Sequence, residues 1–286
     1  MRISNKQMAE NLKHRLFQQT ARILESETKV TTGKRVNKLS DDPVAMGRIL
    51  EYRSTISRME QYGRNISLGQ NHLEAVDGIL EAVSDLIGQA KDIASNPDPD
   101  LSSSQASQVA DIRRQILQFA GSKHNGNYLF SGHQTDTAPF DSSGTYQGDS
   151  GTRDIVIGQG MTVSIEADGS EIFQGSQDVF QVLDDLETAI GANDKASIKT
   201  QLSRLQDALE HINGIRAENA VQAKRMETAE NHWNSFRVSM EQMLSRTEDA
   251  DLAEAVIDLQ VQKTAYEASL ATGAMIIQPS LVDFLS

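Results

Sequence analysis

Cysteine is missing from all 286 residues, which removes disulfides, thiolate nucleophiles and thiolate metal sites together. The redox compartment is unreadable from that absence. Proline is nearly as scarce, at five residues; because it deletes a backbone donor and clashes inside a helix, its rarity leaves long spans free to be helical. Aromatic residues make up 5% against 38% hydrophobic overall, lean for a compact enzyme and usual for elongated helical proteins. Positive charge is in deficit: 27 Lys and Arg face 40 Asp and Glu, a formal net charge of −13, so a nucleic-acid backbone would be repelled and no nucleic acid is expected as a partner. No apolar run approaches the roughly 20 residues that cross a bilayer. Residues 1–20 have no signal-peptide apolar core, so neither membrane insertion nor a secretory leader is expected.

The six histidines, His14, His72, His124, His133, His211 and His232, include no pair at the i, i+4 spacing of zinc ligands on a helix. His124 and His133 flank the start of a glycine-rich stretch, and they read as surface or packing residues. Segments 126–132 and 144–151 are rich in glycine but lack the frameworks that cradle phosphate. Asp41 and Asp42 are adjacent carboxylates without a second ligand cluster, so they read as caps. No catalytic residue, metal ligand or cofactor is expected, and an enzyme is the weakest of the readings considered.

What is present is helical periodicity. Between residues 43 and 96 only scattered glycines interrupt, and Ile66, Leu73, Val76, Leu80, Val83 and Ile87 mark one face. A helix over that span would be on the order of 80 Å long. Asn96-Pro97-Asp98-Pro99-Asp100 reads as a turn, and Val109, Ile112, Ile116 and Phe119 as a shorter helix ending near Gly121. From Asn125 to about Ser176 the composition shifts to Gly, Ser, Asp and Thr. There Ile155, Ile157, Met161, Val163 and Ile165 alternate with polar neighbours around Gly158-Gln159-Gly160, predicting a hairpin. Asp168-Gly169 reads as the next turn. Residues 178–190 are helix-like, and after Gly191-Ala192-Asn193 a second proline-free span carries Ile198, Leu202, Leu205, Leu209 and Ile212 at heptad-like steps.

The two ends match in kind. Leu12, Leu16, Ile23 and Val30 share one heptad frame whose other seam positions are Gln19 and Ser26. Leu252, Val256, Leu259, Tyr266, Leu270 and Ile277 fall into another, interrupted by Lys263 and Gly273. An isolated amphipathic helix leaves its apolar stripe in water, so these ends are expected to pair with each other or with neighbouring subunits. The fold class expected is mainly α: an elongated helical bundle with paired N- and C-terminal coiled-coil helices and a small β-rich insertion. The expected domains are 1–42 with 247–286 (terminal coiled coil), 43–127 with 178–246 (helical rod), and 128–177 (small β-rich distal domain).

Between the first two helical spans, Gly33 is suited to ending one helix, while Asp42 caps the next with Pro43 at its first position. The opening Met1-Arg2-Ile3-Ser4 and the run Thr32-Gly33-Lys34-Arg35-Val36-Asn37-Lys38-Leu39-Ser40-Asp41-Asp42-Pro43 closely resemble the N-terminal region of the bacterial flagellin family. Thr32 and Val36 are conservative departures from its usual Ser and Ile. Pro43, where filament flagellins usually have alanine, is similar to the hook-associated members, as are Gly126-Asn127-Tyr128-Leu129-Phe130-Ser131-Gly132 and Thr135-Asp136-Thr137-Ala138-Pro139-Phe140. Residues 248–254 resemble the family's entry into its C-terminal helix. The ending, Gln278-Pro279-Ser280-Leu281-Val282-Asp283-Phe284-Leu285-Ser286, follows the family pattern loosely.

The resemblance implies a non-enzymatic structural subunit at the junction between hook and filament. It would form a ring with copies of itself, touch another hook-associated protein and flagellin, and be located in the extracellular flagellum. Export through the flagellar type III apparatus with a chaperone on the C-terminal helix is implied as well. The motif Gly33, Arg35, Asn37, Asp41, Asp42 and Pro43 would be a hinge, and the two terminal heptad frames an assembly seam. A filament flagellin, and a helical tip or translocator component of a related secretion system, remain the alternatives.

Overall fold

In the computed structural model of the chain, which describes residues 2–165 and 168–277, seven helices and two short hairpins follow in the order α1 (Arg2–Thr32), α2 (Pro43–Ser95), α3 (Ser102–Ala120), β1 (Lys123–His124), β2 (Asn127–Tyr128), β3 (Arg153–Gly158), β4 (Met161–Ile165), α4 (Gly169–Gln174), α5 (Val179–Gly191), α6 (Lys195–Glu248) and α7 (Leu252–Ile277). The protein is mainly α with a small β insertion. Two compact units divide it: the residues up to Arg58 with those from Ser235 onward, and Met59–Asn234.

In the second unit α2 and α6 run side by side in opposite directions. Arg216 Nε bonds Asp77 Oδ1 at 2.8 Å and Lys91 reaches Gln206. Their heptad-spaced faces supply Val76, Leu80, Val83, Ile87, Leu205 and Ile212 to one core, which α3 completes with Val109, Ile112 and Ile116 and α5 with Leu183 and Leu186. The aliphatic face read from the sequence of α2 is wholly buried from Ile66 to Ile87.

The insertion packs along these helices. Phe130, Phe140 and Phe173 join Phe180 of α5 in a cluster of ring contacts with centroids 5.0 to 5.9 Å apart. The β3–β4 hairpin is antiparallel, pairing Ile155 with Val163 and Arg153 with Ile165. Its inward side chains Ile155, Ile157, Val163 and Ile165 form a second core with Ile66 and Leu73 of α2 and Met226 and Ala229 of α6. Gly69 makes this approach possible: a Cβ there would meet Met226 Cε at 2.7 Å and Ile155 Cδ1 at 2.9 Å. Trp233 Nε1 donates to the Ile157 carbonyl at 2.6 Å and ties the hairpin down.

Two local readings change. Asp168-Gly169, read from the sequence as a turn, starts helix α4: Asp168 Oδ1 accepts the Ser170 amide at 2.8 Å, and Ile172 and Phe173 then bury in the core. The glycine-rich stretch also opens with a hairpin that periodicity does not signal, β1–β2. Its Asn125 and Gly126 both have positive φ (52° and 85°), the backbone that the Asn-Gly pair favours in a tight two-residue turn.

Candidate functional site

The first unit is built from α1 and α7 with the connection 33–42 and the adjoining parts of α2 and α6. α1 presents Leu12, Leu16, Gln19, Ile23, Ser26 and Val30 as its half-buried line, a period of 3.5 that keeps one face on a partner helix. α7 is that partner. Gln19 Nε2 donates to Ser269 Oγ at 3.0 Å, and Leu12 lies against Gly273, where a Cβ would stand 2.5 Å from its Cδ2.

The frame of α7 differs from the one read in the sequence. Its less exposed line passes through Ala255, Leu259, Gln262, Tyr266, Ser269 and Gly273. Leu259 and Tyr266 of the expected seam stand on that line. Leu252, Val256 and Leu270 do not, being 43% to 53% exposed. The side chain of Ile277 and the terminal residues 278–286 lie outside the described residues. Small residues explain part of the shift: Ala255, Ser269 and Gly273 let α1 approach closely between Leu259, Gln262 and Tyr266, while Leu252, Val256 and Leu270 stay exposed. On that outer side Val256, Ile257 (63% exposed), Val261 and Leu270 join Met275 (77%), and α1 adds Met8, Phe17 (65%) and Leu24. Large apolar side chains this exposed are therefore concentrated on the two terminal helices.

The hinge motif is held by local caps and one buried charge. Gly33 ends α1 at φ +69°, the left-handed conformation in which a side chain is strained. Asp41 Oδ2 accepts the amides of Asn37 and Lys38 at 3.0 and 3.1 Å. Desolvation pushes the Asp41 carboxyl up, but those amides and the Lys38 charge outweigh it and hold it below the ordinary carboxylate range. Asp42 Oδ1 accepts the amides of Val44 and Ala45 at 3.1 and 2.9 Å, capping α2, and Pro43 occupies the first position of that helix. Asn37 Nδ2 closes the loop on the Lys34 carbonyl at 2.9 Å.

The connection is then stitched to the end of α6. The Arg35 amide donates to the Glu248 carbonyl at 2.7 Å and the Ala250 amide to the Gly33 carbonyl at 2.9 Å. Arg35 Nη2 donates to the Thr247 carbonyl at 2.8 Å. The carboxylate of Glu248, 4% exposed, receives Lys34 Nζ at 2.6 Å and the guanidinium of Arg53. Beneath it Val36, Ala45 and Ile49 bury with Met46 and Leu244. Glu248 and Arg53 are the residues that sequence reasoning missed. They are 195 positions apart, and no local pattern connects them.

Among the described residues no three His, Cys, Asp or Glu side chains are placed to hold a metal ion, and no helix is long and apolar enough to cross a membrane. His133 faces Asp149, its Nδ1 3.8 Å from Oδ1, and His124 lines a different cavity with His72.

Comparison with known proteins gives a consistent set of relatives. The bacterial flagellin N-terminal helical region matches residues 3–135. The flagellar hook-associated protein 3 of Salmonella typhimurium is 24% identical over 303 aligned positions, covering 95% of this chain and 96% of that one. Its Escherichia coli counterpart is 24% identical over 305, covering 94% and 95%. Among solved structures, one described as a putative flagellar hook-associated protein from Vibrio parahaemolyticus superposes with a TM-score of 0.68 at 21% identity, over 73% of this chain and 100% of that one. FlgL of Bacillus cereus gives 0.60 at 20%, over 67% and 97%. At these identities the two structures establish the shared fold.

Proposed function

We infer that this chain, whose residues 3–135 match the bacterial flagellin N-terminal helical region, is a structural subunit of the bacterial flagellum, exported through the flagellar type III apparatus and placed at the junction between hook and filament. The observation that carries the assembly part is the outer surface of the terminal helices. α1 and α7 cover one another with small and half-buried residues and leave Phe17, Leu24, Val256, Ile257 and Val261 in water. The assignment to the junction, as against the filament, is supported by curated relatives that match along 94% to 95% of the chain and carry the name hook-associated protein 3. Pro43 and the 126–140 segment point the same way.

The work is mechanical and non-enzymatic. Copies of the chain form a ring, with another hook-associated protein on one side and flagellin on the other, and a cytoplasmic chaperone covers the C-terminal helix before export. Residues 1–42 with 247–286 supply the contacts between subunits, 43–127 with 178–246 the helical support, and 128–177 a β-rich part carried on it. Gold labelling of an epitope-tagged chain on isolated flagella tests the placement. A single band at the hook–filament boundary is the expected image, and label spread along the filament would return the reading to a filament flagellin.

A further inference from the structure

We propose that the open cavity lined by α2 and the two hairpins of the second unit is a binding site for a small organic carboxylate, with Arg153 and His72 as its anion-holding groups. The assignment is independent of the flagellar role and rests on the composition of the cavity wall. The space is about 230 Å³, far beyond the roughly 10–15 Å³ that admits a single water. Its wall combines the aliphatic side chains of Leu68, Leu129, Ile155 and Ile165 with the polar ones of His72, His124, Arg153, Asn127, Tyr128 and Thr135. Among the described residues no Asp or Glu lines this cavity.

A guanidinium is permanently charged and its planar fork matches a carboxylate. His72 adds a ring nitrogen, Nε2, that is buried and has no partner, an arrangement that costs free energy unless a ligand or water completes it. Burial, with the positive charges of Arg153 and His124 nearby, lowers His72 to about 4 from its ordinary value of 6.5. A bound anion opposes the effect of those charges. Its arrival favours the imidazolium, so binding takes up a proton and strengthens as pH falls through the range below 6.5. The charged and titratable side chains on the wall that bear on this are His124 of β1, Tyr128 of β2 and Arg153 of β3. With one permanent positive charge and four aliphatic side chains in its wall, the cavity suits a monoanion with a short apolar stem better than a phosphate dianion.

The test is imidazole NMR of the full chain, titrating the His72 ring signals with sodium butyrate at constant ionic strength, against inorganic phosphate and a glutamate-containing peptide. Saturable movement of His72 by butyrate is expected, with a Kd on the order of 1–10 mM. It should weaken at least tenfold in Arg153→Gln and tighten as pH falls from 6.5 to about 5.5, where butyrate is still ionised. A response that never saturates, or one unchanged in a folded Arg153→Gln chain, overturns the proposal. If that variant fails to fold, an affinity of the unaltered chain that does not change with pH overturns it equally. Tighter binding of phosphate would mean that the wall does not select a carboxylate monoanion. Tighter binding of the peptide would give the pocket to an acidic side chain of another protein, and either result rejects the free small acid.

Discussion

Gly33 and Gly273 show how differently one residue type acts within the terminal unit. Nothing lies within 4 Å of a Cβ built on Gly33, so Gly33→Ala meets no clash and its whole cost is the left-handed backbone at φ +69°. That cost is about 1–2 kcal/mol, and Gly33→Asn, which tolerates the same conformation, should lose less. Denaturant midpoints of the two variants check the order. Gly273 has ordinary helical backbone, but its Cβ would press on Leu12 Cδ2 at 2.5 Å. A larger residue there therefore acts on the α1–α7 seam and not on the backbone.

Glu248 is the least solvated charge of the hinge, while Lys34 and Arg53 keep side chains 39% and 48% exposed. Solvent screening of those two partners places the loss in Glu248→Ala near the low end for charged hydrogen bonds, about 1–2 kcal/mol. Stability measured at low and high salt should differ less in the variant than in the parent.

His72 gives a pH dependence of known sign. Its folded pKa, about 4, lies below the 6.5 of the free side chain, so the unfolded chain takes up the proton first. The contribution of neutral His72 is fully present above 6.5 and is lost as pH falls from 6.5 toward 4. Unfolding followed by the fluorescence of Trp233 should show that decline, and His72→Gln should flatten it. Gly33, Asp42 and Pro43 were legible in the sequence because capping is a short-range signal. The Glu248 ion pairs and the burial of His72 were not, because both depend on segments brought together from far along the chain.

Among the elements, strand and core faces were the readable ones. Alternation at Ile155, Ile157, Val163 and Ile165 marked β3 and β4, and heptad spacing marked the buried faces of α2 and α6. α7 was harder, because its contact line is made of Ala255, Ser269 and Gly273, residues that a hydrophobic pattern passes over, while its aliphatic residues face outward. The short helix α4 was hidden for a related reason: a Pro-free Asp-Gly pair signals a turn and a helix start equally well.

The exposure of α7 separates folding from assembly. Val256→Ser and Ile257→Ser alter side chains 51% and 63% exposed, so the isolated chain should stay within about 0.5 kcal/mol of its original stability. The same pair should impair filament attachment when the variant chain replaces the original in cells. Leu259→Ala, on the contact line, should do the reverse at first: a measurable loss of stability in the isolated chain. If the serine variants assembled normally, the outward side chains would not be the intersubunit surface.

For the whole molecule, the outcome is a chain whose chemistry is concentrated in its surfaces. It has no cysteine and an excess of acid, and among the described residues no grouping for a metal. What it offers instead is a pair of terminal helices with apolar outer faces, stitched through Gly33–Pro43 to the end of α6, and relatives that match along nearly its full length. The mainly α class, the hairpin and the family were all legible before any coordinates. The arrangement of the terminal seam and the cavity beside His72 required the folded chain. The most direct measurement is electron microscopy of flagella from cells lacking this protein, with flagellin assayed in the medium. Intact hooks that carry no filament, with flagellin lost to the medium, are the expected result, and normal filaments on those hooks would contradict the junction role.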